Sequence, residues 1–402
     1  MHFFTSITAS YIPRARILAK TLKMHNSNAI FHIVLSDNLP EEINWEAEPF
    51  DYIWYPEDFI PVENIKQWIF KHTLVELCTA VKGQAALHIL KQTNAEKLVY
   101  FDPDIAVFDN LDCLEKMLNK NSFLVIPHNC DRSDDIEKVL YHEMSFLKNG
   151  IYNFGFFAVK NDDNGIDILN WWTERLLLAC YDDSEQGLFT DQKWGNFIPV
   201  IFDKVKIIKE PNYDVATWNL TTRTFSGSID NGFFVNNMPL KFYHFSGYGS
   251  TSYHCSLAHL SQKTRDIFAL SDWYGEQLII NGNKKLKDIK YKYARFYNGK
   301  KIENIHRLIF RKNPSLMERF ADPFDDECYD FLNDEIVALE FENDAKRIAI
   351  FAAQRVKNEL IYIKYKLLSK FPLNSKKNQH IIMRDNLKRK LRVIRNYIKY
   401  PD

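Results

Sequence analysis

Nowhere does this sequence carry an uncharged apolar run near the roughly 18 residues that would suggest a membrane span. Its start, Met1-His2-Phe3-Phe4, has no basic segment ahead of a long apolar one, so no secretion signal is expected and a cytoplasmic address follows. The six cysteines stand singly, with no Cys-x-x-Cys pair and no spacing suited to zinc, and reduced thiols are the expectation. Internal repeats and low-complexity blocks are missing. So is a Gly-rich phosphate loop with a basic residue after the first apolar run, which argues against a nucleotidyltransferase. Net charge is also missing: 52 Lys and Arg balance 52 Asp and Glu.

That balance hides an asymmetry. Residues 361–402 hold twelve Lys or Arg against Asp385 and Asp402, so this tail carries +10 and the rest of the chain −10. With 402 residues, 46% of them hydrophobic, the chain can bury one large α/β domain and a smaller appendage. Aromatic residues make up 14%, and most of these rings are expected to fill the core.

Apolar periodicity alternates between strand and helix. Residues 2–8 read as a strand and 11–25 as a helix with Ile12, Ala15, Ile17, Leu18, Ala19 and Leu22 inward. Residues 31–35 and 52–55 give further strands, and 79–91 a helix with Ala85, Ala86, Leu87 and Leu90 inward. The near-continuous apolar run Leu98-Val99-Tyr100-Phe101 is a buried strand. Beyond it come a helix over 111–118, strands over 123–127, 154–159 and 205–209, a helix over 166–180, and two short β runs within 233–245. The alternation implies a mostly parallel sheet flanked by helices. After about residue 256 the pattern is overwhelmingly helical, giving a domain of residues 1–255 and a helical C-terminal region of 256–402.

Asp102-Pro103-Asp104 sits at the carboxyl end of the 98–101 strand, where ligands collect in open α/β sheets. Two carboxylates on a stiff turn can hold Mn²⁺ or Mg²⁺, and such an ion neutralises charge on a diphosphate. Solvated loop carboxylates capping the following turn are the bland alternative.

The segment Leu98-Val99-Tyr100-Phe101-Asp102-Pro103-Asp104-Ile105 resembles the Asp-x-Asp strand of GT-A glycosyltransferases. Thr79-Ala80-Val81-Lys82, Tyr152-Asn153-Phe154-Gly155-Phe156, Gly187-Leu188-Phe189-Thr190-Asp191-Gln192 and Tyr243-His244-Phe245-Ser246-Gly247 follow in the order seen in bacterial polysaccharide glycosyltransferases. They also echo the retaining glycosyltransferase family 8. The resemblance covers roughly residues 1–320. It implies a GT-A fold, a UDP-sugar donor and a metal held by Asp102, Asp104 and His244; read alone, His244 is either a ligand or a hydrogen-bonded core residue. Gly247 after it implies close approach to a phosphate. Lys82 resembles the family's basic donor-site residue, with an exposed helix lysine as the alternative. Thr5, Ser6, Thr8 and Tyr11 look like the nucleotide-base pocket, against helix capping by Thr8 or Ser10. Asn153 and Gly155 match the block lining the donor sugar, and Asp191 and Gln192 the block facing its reactive carbon. One departure stands out: where family 8 continues to Lys-Pro-Trp, this chain reads Tyr248-Gly249-Ser250.

The reading that follows is transfer of a hexose or N-acetylhexosamine to a bacterial surface glycan such as lipopolysaccharide or capsule, with retention; inverting transfer and a sugar-nucleotide-binding scaffold are the alternatives. The expected partners are the nucleotide-sugar donor and a glycan or lipid-linked glycan acceptor, not nucleic acid. Leu360, Ile363, Leu367 and Phe371, then Met383, Leu387, Leu391, Ile394 and Ile398, form basic amphipathic helices suited to the anionic inner leaflet, or to an oligomer contact.

Overall fold

A computed structural model describes residues 1–336 except 133–135, 137, 138 and 261–264. The tail 361–402 lies outside the described residues.

Strands β1 (His2–Ile7), β2 (Ile30–Leu35), β3 (Tyr52–Trp54) and β4 (Lys97–Phe101) form one half of a seven-stranded sheet; β6 (Phe123–Pro127), β7 (Tyr152–Lys160) and β10 (Val205–Ile207) form the other. The order is β10-β6-β7-β4-β1-β2-β3. Neighbours pair in parallel except at β7, which runs antiparallel to both β4 and β6. The expected mostly parallel sheet flanked by helices is therefore what forms.

Successive strand residues point to opposite faces, and the core follows that period of two. Phe3, Val99, Phe101 and Phe156 face helix Ile12–His25, packing on Ala15, Leu18 and Leu22. Phe4, Tyr100 and Phe157 face helices Lys82–Thr93 and Asp163–Ala179, packing on Ala86, Ile89, Ile168 and Trp172. Burying each such Phe contributes roughly 1.5–3 kcal/mol, so apolar packing fixes the strand ends without help from the polar residues beyond them.

Smaller elements complete the site. After the acidic turn the chain enters β5 (Ile105–Val107), antiparallel to β14 (Phe242–His244). Two short strands, β8 (Asp182–Asp183) and β9 (Leu188–Phe189), make a hairpin, and β11 (Phe225–Ser228), β12 (Gly232–Val235) and β13 (Met238–Pro239) a three-stranded antiparallel sheet. Most described residues after 256 are helical, interrupted by an irregular stretch in which Arg295 bridges Lys301, and position 255–256 falls within the helix Thr251–Leu260. Phe310, Leu316, Phe320 and Leu332 join the core on the Lys82–Thr93 side, and Leu270 and Tyr274 pack with Phe245. No described helix is long and apolar enough to cross a membrane.

Candidate active site and metal centre

Two strand registers bring the acidic motif to His244. The β4·β7 ladder continues one residue past Phe101, with Asp102 N donating to Gly155 O at 2.8 Å. The chain turns over Pro103 and enters β5, where Ile105 lies opposite His244 and Phe245 N donates to Asp104 O at 2.8 Å. His244 Nε2 then lies 3.1 Å from Asp104 Oδ1 and 3.8 Å from Asp102 Oδ2. Ligand atoms of Asp102, Asp104 and His244 all fall within 4.8 Å of one another.

This donor set, two carboxylates and an imidazole, fits Mn²⁺ or Mg²⁺. Gly155 makes room for it: a Cβ there would stand 2.5 Å from His244 Cε1, 2.8 Å from Asn153 Oδ1 and 3.0 Å from Asp102 Oδ2. Burial alone would depress the His244 imidazole, yet the Asp104 and Asp214 carboxylates raise its pKa well above the ordinary histidine range. Burial likewise favours a neutral Asp104, and the His244 charge outweighs it, holding the carboxyl below its usual pKa. Such a carboxylate-imidazole cluster exchanges a proton for a cation.

Lys82 is buried, not on an exposed helix face. Its ammonium lies 2.9 Å from Asp191 Oδ2 and 3.3 Å from Asp102 Oδ1, donates to Phe154 O at 3.0 Å and stands 4.3 Å above the Tyr100 ring. Burial would lower its pKa, but the two carboxylates raise it, so the lysine stays charged. Tyr100 donates its hydroxyl to Asp102 Oδ1 at 2.6 Å. Asp191 follows the β8–β9 hairpin; burial raises its carboxyl above the usual range and the Lys82 ammonium offsets that only in part. Its carbonyl accepts from Trp172 Nε1 at 3.2 Å, so this core tryptophan anchors the backbone of Asp191.

A cavity of about 600 Å³ opens over these groups, lined by Lys82, Asp102, Asn153, Gly155, Asp191, Gln192 and His244. That volume lies in the range of small-ligand sites. Asn153 Oδ1 accepts from Gly155 N at 2.7 Å, which turns its amide nitrogen to His244 Nδ1 at 3.3 Å. Gln192 is bonded at both ends, accepting from Phe154 N and donating to Asn149 O.

Thr5, Ser6, Thr8, Tyr11 and Gly247 do not line this cavity. Thr5 and Ser6 are buried on β1. Thr8 precedes a 3₁₀ turn without capping it through its side chain. Tyr11 is 37% exposed, and its hydroxyl pKa is raised by burial and then by Asp104. Gly247 has φ 73°, and a Cβ there would make only an ordinary contact with Ser250 Oγ at 3.6 Å, so backbone conformation, not a close neighbour, calls for glycine in the turn after β14. Sequence reasoning missed His128, Phe146 and Trp218, which line the cavity, and Asp214, beside His244. Trp218 meets the His244 ring edge-on at 5.3 Å. Phe146 lies on the short helix Met144–Asn149 and Trp218 on the 3₁₀ turn Thr217–Asn219, and none of the four belongs to a motif that the sequence singles out.

No protein-family model matches the chain. Two curated relatives do. The chain is 29% identical over 264 residues to the uncharacterized protein YfnF of Bacillus subtilis strain 168, covering 65% of this chain and 78% of that protein. Against the uncharacterized protein YfnD of the same strain it is 22% identical over 255 residues, 61% of this chain and 78% of that one. Among solved structures it is similar to the galactosyltransferase LgtC in complex with donor and acceptor sugar analogues, at TM-score 0.35 and 14% identity, over 69% of this chain and 100% of that one. An active-site mutant of LgtC gives TM-score 0.38 and 15% identity over 67% and 99%. The glycosyltransferase GlyE of Streptococcus pneumoniae TIGR4 gives 0.39 and 14% over 69% and 64%. These neighbours are glycosyltransferases, the resemblance that the motifs led one to expect. Backbone similarity at this level is loose, and the chemistry rests on the side chains at the strand ends.

Proposed function

We propose that this chain is a metal-dependent GT-A glycosyltransferase that moves a hexose or N-acetylhexosamine from a UDP-sugar to a bacterial surface glycan, lipopolysaccharide or capsule, with retention of anomeric configuration. The observation that carries the proposal is the convergence of Asp102, Asp104 and His244 beside the buried Lys82–Asp191 pair, next to a cavity that Asp102, His244, Lys82 and Asp191 line.

Asp102, Asp104 and His244 would hold Mn²⁺ or Mg²⁺. When bound, the ion supplies charge neutralisation to the diphosphate as the sugar–phosphate bond breaks. Lys82 adds a second fixed cation beside Asp102, positioned without reorganisation because it is buried among its partners. Thr5, Ser6, Thr8 and Tyr11 would read the uracil-like base at the end of β1, and the Gly247 turn would approach the diphosphate. Asn153 and Gly155 line the donor side, Gln192 shapes that wall, and Asp191 faces the sugar's reactive carbon. Trp218 and Phe146, which also line the cavity, would offer aromatic surface to an acceptor sugar. Retention is favoured by the pairing of Asp191 with Lys82, which leaves that carboxylate committed to the donor side instead of free as a base for the acceptor.

UDP release from a panel of UDP-sugars, with and without Mn²⁺, tests the activity, and the NMR signal of the product's anomeric proton tests retention. Asp102→Asn and Asp104→Asn should each abolish metal-stimulated donor binding while leaving the fold intact. Normal activity of either variant without added metal rejects the metal, and donor binding with no turnover for any acceptor supports a scaffold instead. We also propose that the chain works in the cytoplasm, with residues 361–402 docking it on the anionic inner leaflet. Equal binding to neutral and anionic liposomes rejects that docking.

A further inference from the structure

Asp214 is fully buried, yet neither carboxylate oxygen has a hydrogen-bond partner among the described residues. A buried carboxylate left that way is costly, and each one calls for a reason. Its Oδ1 lies 3.5 Å from Nδ1 of His244. The placement is built into the fold: Val215 bridges in parallel to Tyr243 on β14, and His244 N donates to Val215 O at 2.8 Å. Asp214 itself takes a left-handed φ of 47°, which an ordinary side chain disfavours, and its carbonyl is held by Asn219 Nδ2 at 2.9 Å. Arg223 donates to the carbonyls of Tyr213 and Asp214, so a cation stands near the carboxylate without occupying its oxygens.

A histidine that gives its Nε2 lone pair to a cation must carry its proton on Nδ1, and that N–H needs an acceptor. Asn153 cannot serve, because its Oδ1 is taken by Gly155 N and its amide nitrogen, 3.3 Å from Nδ1, is itself a donor that bonds only an unprotonated Nδ1; the two tautomers of His244 therefore choose between Asn153 and Asp214, and a cation on Nε2 selects Asp214. Among the described residues, Asp214 is the carboxylate placed to accept from Nδ1.

We infer that Asp214 is a positioning residue for the metal centre: it accepts the Nδ1 proton of His244, fixes the ring so that Nε2 points at the site of Asp102 and Asp104, and strengthens divalent-cation binding through that histidine. The inference rests on reading Asp102, Asp104 and His244 as metal ligands. No sequence motif carries Asp214, and it does not line the cavity.

The experiment is Mn²⁺ titration followed by loss of the free-ion EPR signal, in the presence of UDP, on the full chain. Asp214→Asn should weaken Mn²⁺ binding about 10- to 100-fold. Asparagine tolerates the left-handed backbone, and a melting curve confirms the fold. The nitrogen coupling of bound Mn²⁺, present in the wild type, should weaken in the variant. In a His244→Gln background the same change should produce no further loss, whereas a merely structural role would lower affinity in both backgrounds. An independent reading needs no Asp214 variant: ¹⁵N-histidine spectra of the wild type with Mg²⁺ should show His244, assigned by its absence in His244→Gln, protonated on Nδ1. A wild type that binds no Mn²⁺ overturns the metal reading itself. A wild type that binds, with Asp214→Asn unchanged in affinity and nitrogen coupling, or with His244 unprotonated at Nδ1, overturns the role of Asp214 alone.

Discussion

Gly155→Ala isolates the metal centre from the fold. Gly155 lies within β7, in an extended conformation that alanine accepts, so the backbone raises no objection. The added Cβ does: it would stand 2.5 Å from His244 Cε1 and 3.0 Å from Asp102 Oδ2, against ordinary contacts that begin near 3.4 Å. His244 would have to retreat by about 0.9 Å and the Asp102 oxygen by about 0.4 Å to restore normal contact, whereas metal–ligand distances tolerate only about 0.2 Å. Two of the three proposed ligands are thus displaced by more than the site can absorb. Mn²⁺ affinity should fall at least tenfold, and turnover about 100-fold, the scale of a 1 Å misplacement. Overpacking should cost about 1–3 kcal/mol of stability. Gly247→Ala is the matched control. Its Cβ would meet only Ser250 Oγ at 3.6 Å, but at φ 73° it carries about 1–2 kcal/mol of backbone strain. Both variants should melt lower, and only Gly155→Ala should lose metal. The measurements are EPR titration of Mn²⁺, UDP release and thermal melting; wild-type Mn²⁺ affinity in Gly155→Ala would refute the reasoning.

Lys82→Met removes one cation from two carboxylates, and the buried Asp191 charge left behind should cost about 3–5 kcal/mol in a denaturant titration; a loss below about 1 kcal/mol would mean that Asp191 takes up a proton in its place. Arg311 pairs with Glu76 at 3.2 Å and covers the Tyr181 ring at 4.0 Å, while Glu76 accepts from Asp182 N and Tyr181 O from Thr190 N. Arg311→Ala should therefore raise hydrogen exchange across residues 181–190 and cost about 1–3 kcal/mol, lowering turnover through Asp191 without touching Mn²⁺ affinity. His32 accepts from Trp54 Nε1 on Nδ1 and meets His2 through Nε2; burial, then the His2 charge, push its pKa down to about 3. Because the unfolded chain takes up a proton below the ordinary pKa of 6.5 and the folded chain does not, stability should fall as pH drops through 6.5. His32→Phe should flatten that slope between pH 6.5 and 5 by about 1.4 kcal/mol per pH unit, read from denaturant titrations at several pH values.

What the sequence makes legible depends on whether a contact is local. Leu98 to Phe101 read as a buried strand because apolar packing is written in consecutive residues, and the Asp-Pro-Asp turn at its end follows directly. The strand direction of β7 is not so written, since a period of two is the same read either way. Residues 79–91 read as one helix, but the chain forms Leu74–Ala80 and Lys82–Thr93, meeting at Val81, and a capping box of Thr73 and Glu76 starts the first. That break lies just before Lys82, whose burial the helical period left open.

The proposed metal centre is the harder case, because its parts lie far apart in the chain. Asp104 meets His244 only through the β5·β14 register, and His244 meets Asp214 only because Val215 bridges to Tyr243. A shift of one residue in either pairing would turn an imidazole or a carboxylate to the other face. Family resemblance could point to His244, since that residue sits in a motif, but Asp214 sits in none. Gly155 shows the same limit from the other side. Its alternation with Asn153 places both on one face of β7, where both line the cavity. His244 and Asp102 also close on that face, near enough that a Cβ would not fit. The residue type was informative because only glycine fits; what it makes room for was decided by strands that the local pattern could not align.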